Sequence, residues 1–197
     1  MPTVLEDLDL YLPVTLHKPD LTEEEWIDFC AKYRDFRIEY SAEGNLILMS
    51  GTDRITGRRN FSISGQLWSW VGRENRGEGG DSSTAFLLPS GARRCPDAAW
   101  TSQETLKSVS SDKRMPAMVP DFIIELKSAS DSRRELHERM IEWSQAGVQL
   151  AWMIDPEWKR VTVFKPRTMP VDFDNLDSIE GEGPVKGFVL DLTPVWS

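Results

Sequence analysis

The chain has 197 residues, 40% of them apolar, and eight tryptophans, which suits one self-sufficient core over residues 1–197 and excludes a disordered polymer. Its net charge of −9 is unusual for a phosphate-binding protein, but net charge bears on solubility and steering rather than on fold. No apolar run approaches the ~20 residues of a membrane span, so no membrane partner is expected.

Only Cys30 and Cys95 are present, and residues 1–10 carry acids without a basic leader, so a reduced, cytoplasmic protein is expected. Much of the acid lies at Glu23, Glu24 and Glu25 and in a late run from Asp172 to Glu182. The middle, from Arg54 to Arg139, is richer in arginine, which suits bidentate phosphate contacts. A mixed solvated surface explains the same distribution.

Thr22-Glu23-Glu24-Glu25 reads as a capping box, so a short helix starts near Glu23 and ends before Phe36. Strands follow at Phe36–Tyr40 and Asn45–Met49, joined as a hairpin by Ala42-Glu43-Gly44. From Gly57 to Arg73 the pattern is helical, with Ile63, Leu67, Trp70 and Val71 on one face. Core packing is the default for Trp70, whereas Trp68 falls off that face and is free for a partner. Gly77–Gly80 breaks the helix as a turn. A strand at Thr84–Leu88 stops at Pro89-Ser90-Gly91, and Asp97–Thr101 forms another. Residues 103–119 read as a surface connection with a helical turn.

Phe122–Leu126 is a buried strand, an apolar run with one acid in it. Asp131 caps a helix to about Ala146, with Leu136, Met140 and Trp143 inward and Gly147 as the stop. Strands at Gln149–Ile154 and Arg160–Phe164 flank an Asp155-Pro156 turn. The acidic segment 171–186 reads as a surface loop, and Gly187–Leu192 as a last edge strand. The order predicts an α/β fold, a mixed central sheet flanked by helices.

Glu125 and Lys127 interrupt the best core strand and, two apart, share one face. Alone they read best as a salt bridge at the sheet edge. Asp97 changes this, because it opens a strand after Pro96. If that strand neighbours Phe122–Lys127, Asp97 faces Glu125 at ~5 Å. Two carboxylates at that spacing repel unless a cation lies between them, and oxygen ligands with free water positions suit Mg²⁺ or Mn²⁺. Lys127 would then orient the attacking water or stabilise charge growing on phosphorus. Asp121 is excluded, since four strand residues separate it from Glu125 by ~13 Å.

Cys95-Pro96-Asp97-Ala98-Ala99-Trp100 and Val119-Pro120-Asp121-Phe122-Ile123-Ile124-Glu125-Leu126-Lys127-Ser128 resemble the PD-(D/E)xK nucleases. With Phe86–Gly91, Ser128–Asp131, Gly147–Pro156 and Gly187–Leu192, the series is similar to the Uma-two family of restriction-endonuclease-like proteins, from about Thr22 onward. The resemblance implies a restriction-endonuclease-like core with an N-terminal helix and hairpin, and Mg²⁺-dependent hydrolysis of DNA. It implies Asp97 and Glu125 as metal ligands, the Leu126 carbonyl as a backbone ligand, and Lys127 as the catalytic lysine. Two departures stand out. A glutamate expected before Thr56-Gly57 is replaced by Ile55, with Asp53 nearby as a substitute, and expected glutamine and lysine read His137 and Arg139.

The sequence therefore supports a Mg²⁺-dependent DNA endonuclease. The alternative is an inactive nuclease-fold domain that binds nucleic acid or a protein. Cutting both strands of a duplex favours a homodimer. His137-Glu138 lacks the second histidine of a zinc helix, because position 141 is Ile.

Overall fold

The computed structural model describes residues 13–18, 20–109, 117–129 and 131–197. In chain order they form β1 (Val14–His17), α1 (Glu23–Lys32), β2 (Arg37–Tyr40), β3 (Asn45–Met49) and α2 (Arg54–Glu74). Next come β4 (Gly77–Asp81), β5 (Phe86–Leu87), β6 (Arg93–Arg94), β7 (Ala98–Ser102), α3 (Gln103–Ser108) and β8 (Phe122–Leu126). The chain continues through α4 (Arg133–Ala146), β9 (Leu150–Asp155), β10 (Arg160–Phe164), β11 (Val171–Asp174), β12 (Ser178–Glu180), β13 (Val189–Asp191) and α5 (Thr193–Trp196).

A five-stranded sheet has the order β1-β3-β2-β6-β5, and a six-stranded sheet the order β11-β10-β9-β8-β7-β4. Only the β8–β9 pair of the larger sheet is parallel, because α4 provides the crossover between them. This is the mixed sheet flanked by helices that the sequence predicts.

The first helix obeys its capping box. The Thr22 hydroxyl accepts from the Glu25 amide (3.2 Å), and the Glu25 carboxylate accepts from the Thr22 amide (3.0 Å). Its Trp26 packs with Ile38, Tyr40, Leu46 and Leu48 under the smaller sheet. The second helix starts three residues earlier than its apolar pattern suggests. Asp53 caps it by accepting from the amides of Ile55 (2.7 Å) and Thr56 (3.1 Å).

Two layers sandwich the larger sheet. Ile63, Leu67, Trp70 and Val71 of α2 cover the face carrying Ala98, Trp100, Phe122, Ile124 and Leu126. Leu136, Met140 and Trp143 of α4 cover the face carrying Ala99, Ile123, Ala151 and Met153. The alternation follows from the two-residue strand period.

Several expectations are corrected. Gly77–Asp81 is an edge strand, not a turn, pairing antiparallel with β7. A Cβ on Gly77 would lie 2.2 Å from the Thr101 carbonyl oxygen, so only hydrogen fits. Segment 171–186 is not a loop: β11 and β12 lie in it. Arg160 pairs with both Asp172 (2.9 Å) and Asp174, and this compensation lets an acidic strand join the sheet. β13 pairs with β12 in a separate ribbon rather than extending a main sheet, and it buries Leu190 in the core. Ser132, not Asp131, caps α4. Part of the 103–119 connection, residues 110–116, lies outside the described residues. Cys30 and Cys95 are both free thiols, raised by burial to about 11 and about 12.

Candidate active site

The β7–β8 ladder pairs Ala98 with Ile124 and Trp100 with Phe122. Continued by one step, this register sets Asp97 opposite Glu125; by two, Pro96 opposite Leu126. Both acids then lie on the face that carries Ala99 and Ile123, beneath α4. Trp143 of α4 donates its indole N–H to Glu125 Oε1 (3.1 Å).

Backbone direction explains the neighbouring contacts. The Lys127 amide donates to the Ile154 carbonyl (2.8 Å), so the amides of Lys127 and Glu125 turn toward β9. The peptide groups of Leu126 turn the other way, toward β7. Its N–H donates to Asp97 Oδ2 (2.8 Å). Its carbonyl faces Pro96, which has no N–H to return. The ladder therefore cannot close there.

Strand β2 of the smaller sheet brings two further charges. Ile38 and Tyr40 enter the α1 core, so Arg37 and Glu39 point the other way. Arg37 reaches Asp97 Oδ1 (3.1 Å) and Glu39 Oε1 (3.5 Å), and it also donates to the Cys95 carbonyl. Glu39 has no solvent exposure. Arg94 (3.2 Å) and Arg139 (3.4 Å) also hold it, and it accepts from the Cys95 amide (3.2 Å). Arg94 continues to Glu142 (2.8 Å), and Arg139 lies 4.0 Å from Glu125. Asn60 of α2 approaches Asp97 (3.5 Å), while its own side-chain oxygen is buried without a partner among the described residues.

The two buried glutamates sit in opposite electrostatic states. Burial alone would raise the Glu39 carboxyl, but Arg139, Arg37 and Arg94 outweigh it and hold Glu39 below the ordinary range. Burial raises the Glu125 carboxyl to about 7; Arg139 and Arg37 oppose that rise, and the Asp97 charge adds to it.

The structure thus brings Asp97, Glu125 and the Leu126 carbonyl to one place. The Lys127 ammonium is turned toward Glu157 (3.5 Å) and the Ser128 carbonyl (3.2 Å), at the β9–β10 turn. Asp121 sits at the strand entrance as expected, accepting from the Ser102 amide (2.7 Å), Thr105 (3.1 Å) and Gln149 (2.5 Å). Asp53 is the cap of α2, with both oxygens engaged by Ile55 and Thr56. The His137 ring packs on Phe164.

The family model described as "Putative restriction endonuclease", Uma2, matches residues 23–193. The chain belongs to the Uma2 family. A solved structure, that of a putative nuclease belonging to DUF820 from Anabaena variabilis ATCC 29413, is 17% identical with a TM-score of 0.69. The match covers 81% of this chain and 89% of that chain. At this identity the likeness establishes the fold. No curated protein matches.

In this Uma2 chain, Arg37, Glu39, Arg94 and Asn60 are site neighbours that sequence reasoning missed. One signal was present. Arg37-Ile38-Glu39-Tyr40 alternates charged and apolar residues, which reads as a solvated outer face. In the fold that face meets the end of the second sheet.

Proposed function

We propose that this chain is a metal-dependent DNA endonuclease, acting as one unit in the cytoplasm, with Asp97, Glu125 and Lys127 as its catalytic residues. One observation carries the reading: the register sets Asp97 opposite Glu125, and Lys127 follows two residues later on the same strand path. Family membership supports it.

The residues fit a hard divalent cation. Among the described residues, no group of three or more His, Cys, Asp or Glu side chains is gathered to hold a metal. The proposed donor set is Asp97, Glu125 and, as the family resemblance implies, the Leu126 carbonyl, with water completing the shell, as Mg²⁺ or Mn²⁺ accepts and a structural zinc site does not. Glu125, held neutral to about pH 7 by burial, is a carboxyl that a neighbouring cation would ionise. A cation held there would supply Lewis acidity to a bound water and to a phosphate oxygen.

The chain's own groups do the rest. Asp97 and Glu125 would hold the cation against which the cleaved phosphate is positioned. Glu157 is largely exposed, so its ion pair with Lys127 is weak and leaves the ammonium free to turn to a phosphate oxygen or the attacking water. Arg37 and Arg139, beside the same carboxylates, add positive charge to the site. A plasmid incubated with Mg²⁺ or Mn²⁺ tests this. The wild type should nick or linearise it, and Lys127→Ala should cut about 10²–10⁴-fold more slowly. Equal rates, or no cleavage with either metal, would remove the assignment.

A second reading has its own observation. Arg37 already pairs with Asp97, and Arg139 stands beside Glu125, so guanidinium groups occupy the metal's electrostatic role. That favours a domain that binds nucleic acid or a protein without cutting. Calorimetric titration with Mn²⁺ separates the two: this second reading requires no heat of specific binding.

A further inference from the structure

The outer face of α2 is unlike the rest of the surface. Residues 60–72 carry no charged side chain, in a chain where 28% of residues are charged. The inward positions are Ile63, Leu67, Trp70 and Val71. The outward ones are Phe61, 80% exposed, and Trp68, 69% exposed, with Gly65 and Gly72 between and beyond them. These four recur at helical spacing on one side. A solvated helix normally presents charges there; a charge-free, aromatic outer face has the composition of an interface centre.

We propose that this face binds a second copy of the chain, with the two α2 helices packed antiparallel about a two-fold axis. One register sets Phe61 of each copy against Gly72 of the other, and Trp68 against Gly65. Each large ring then meets a position with no side chain. Because both pairs share one register, the two-fold generates every contact twice and closes the assembly. Among the described residues, a Cβ built on Gly65 or Gly72 meets nothing within 4 Å, so both positions lie open to solvent and a partner's ring can approach the backbone there.

Charge argues against nucleic acid as the occupant. There is no cation between Arg59 and Arg73. At the flanks, Arg58 is bonded to Ser197 and to the Pro194 carbonyl (3.1 Å), and Arg76 is paired with Glu74 (3.1 Å). Area sets what the dimer must bury. Covering Phe61 and Trp68 in both copies removes roughly 600 Å², about half of what a stable interface of ~1,200 Å² needs. The remainder would have to come from the Gly65–Gly72 backbone, Ser69 and the bordering β13. That strand is tied to α2 through Gln66 and Asp191 (2.7 Å), and its Val189 is 54% exposed.

Sedimentation velocity across a hundredfold concentration range tests the proposal, with neither metal nor DNA present. Its failure is therefore separate from that of the nuclease reading. The wild type should sediment as two copies. Gly65→Glu should sediment as one, with helix content and thermal midpoint kept or raised, because glutamate favours helix more than glycine does. Trp68→Ala should weaken association at least tenfold. A wild type that is monomeric throughout overturns the proposal, including one whose Trp68 is shielded by residues of its own chain. So does a dimer whose dissociation constant is the same in both variants.

Discussion

Replacing Glu125 with glutamine separates an electrostatic role from a packing role. The two side chains have the same shape, and the glutamine oxygen still accepts from the Trp143 indole. What changes is the ability to ionise. In the native state the carboxyl is raised by burial from 4.5 to about 7. Below pH 4.5 it is protonated in both folded and unfolded chains, and the substitution should be nearly neutral. Between 4.5 and 7 the unfolded chain releases the proton while the native chain keeps it, so the wild type loses stability as pH rises. Above 7 the native chain must ionise a buried group, and the loss is complete. The difference between 4.5 and about 7, at about 1.4 kcal/mol per pH unit, amounts to about 3 kcal/mol. Glu125→Gln should therefore be more stable than the wild type by up to ~3 kcal/mol at pH 8.5, or about 6–12 °C in melting midpoint for a chain of this size. Urea titrations of both proteins in EDTA, from pH 4 to 8.5, measure it. Saturating Mn²⁺ should reverse the order, because only the wild type then gains binding free energy. A stability difference that does not vary with pH, or a variant weaker at pH 8.5 without metal, would refute this view of Glu125.

Glu39→Gln should behave in the opposite sense. It leaves Arg37, Arg94 and Arg139 without their shared counter-charge, at a cost of about 3–5 kcal/mol at pH 7 in denaturant titrations. Because the Glu39 carboxyl is depressed in the native state, its contribution is complete above the unfolded value of 4.5. It fades as pH falls through the lower native value, so the gap between the two proteins should shrink in acid. Asp121→Ala should lower stability by about 1–3 kcal/mol through the lost Ser102, Thr105 and Gln149 bonds, yet leave Mn²⁺ affinity unchanged in calorimetry.

The core of the larger sheet was legible because its signals are local. The apolar run of Phe122–Leu126, the single inward face of α4 and the Gly147 stop each state their own structure. The adjacency of Asp97 and Glu125 was legible only as a condition, that β7 neighbours β8; the ladder meets it, but the connection of about twenty residues between the strands left the register unstated by local sequence. Arg37 and Glu39 were hidden because their importance depends on how a second sheet docks, and no periodicity encodes docking. The acidic strand Val171–Asp174 was hidden by its composition, since a row of acids reads as solvated until Arg160 is seen opposite it. Gly77–Asp81 misled in the reverse way. A glycine run suggests a turn, but the close approach of Trp100 and Thr101 requires glycine in a strand.

In the proposed site Asp97 and Glu125 share one divalent cation. Anomalous scattering from crystals grown with saturating Mn²⁺ tests it most directly. A single peak is expected about 2.0–2.6 Å from oxygens of Asp97, Glu125 and the Leu126 carbonyl, with Arg37 displaced from Asp97 Oδ1. Fully occupied Mn²⁺ elsewhere in the crystal, with no peak between these residues and Arg37 still on Asp97, would contradict it.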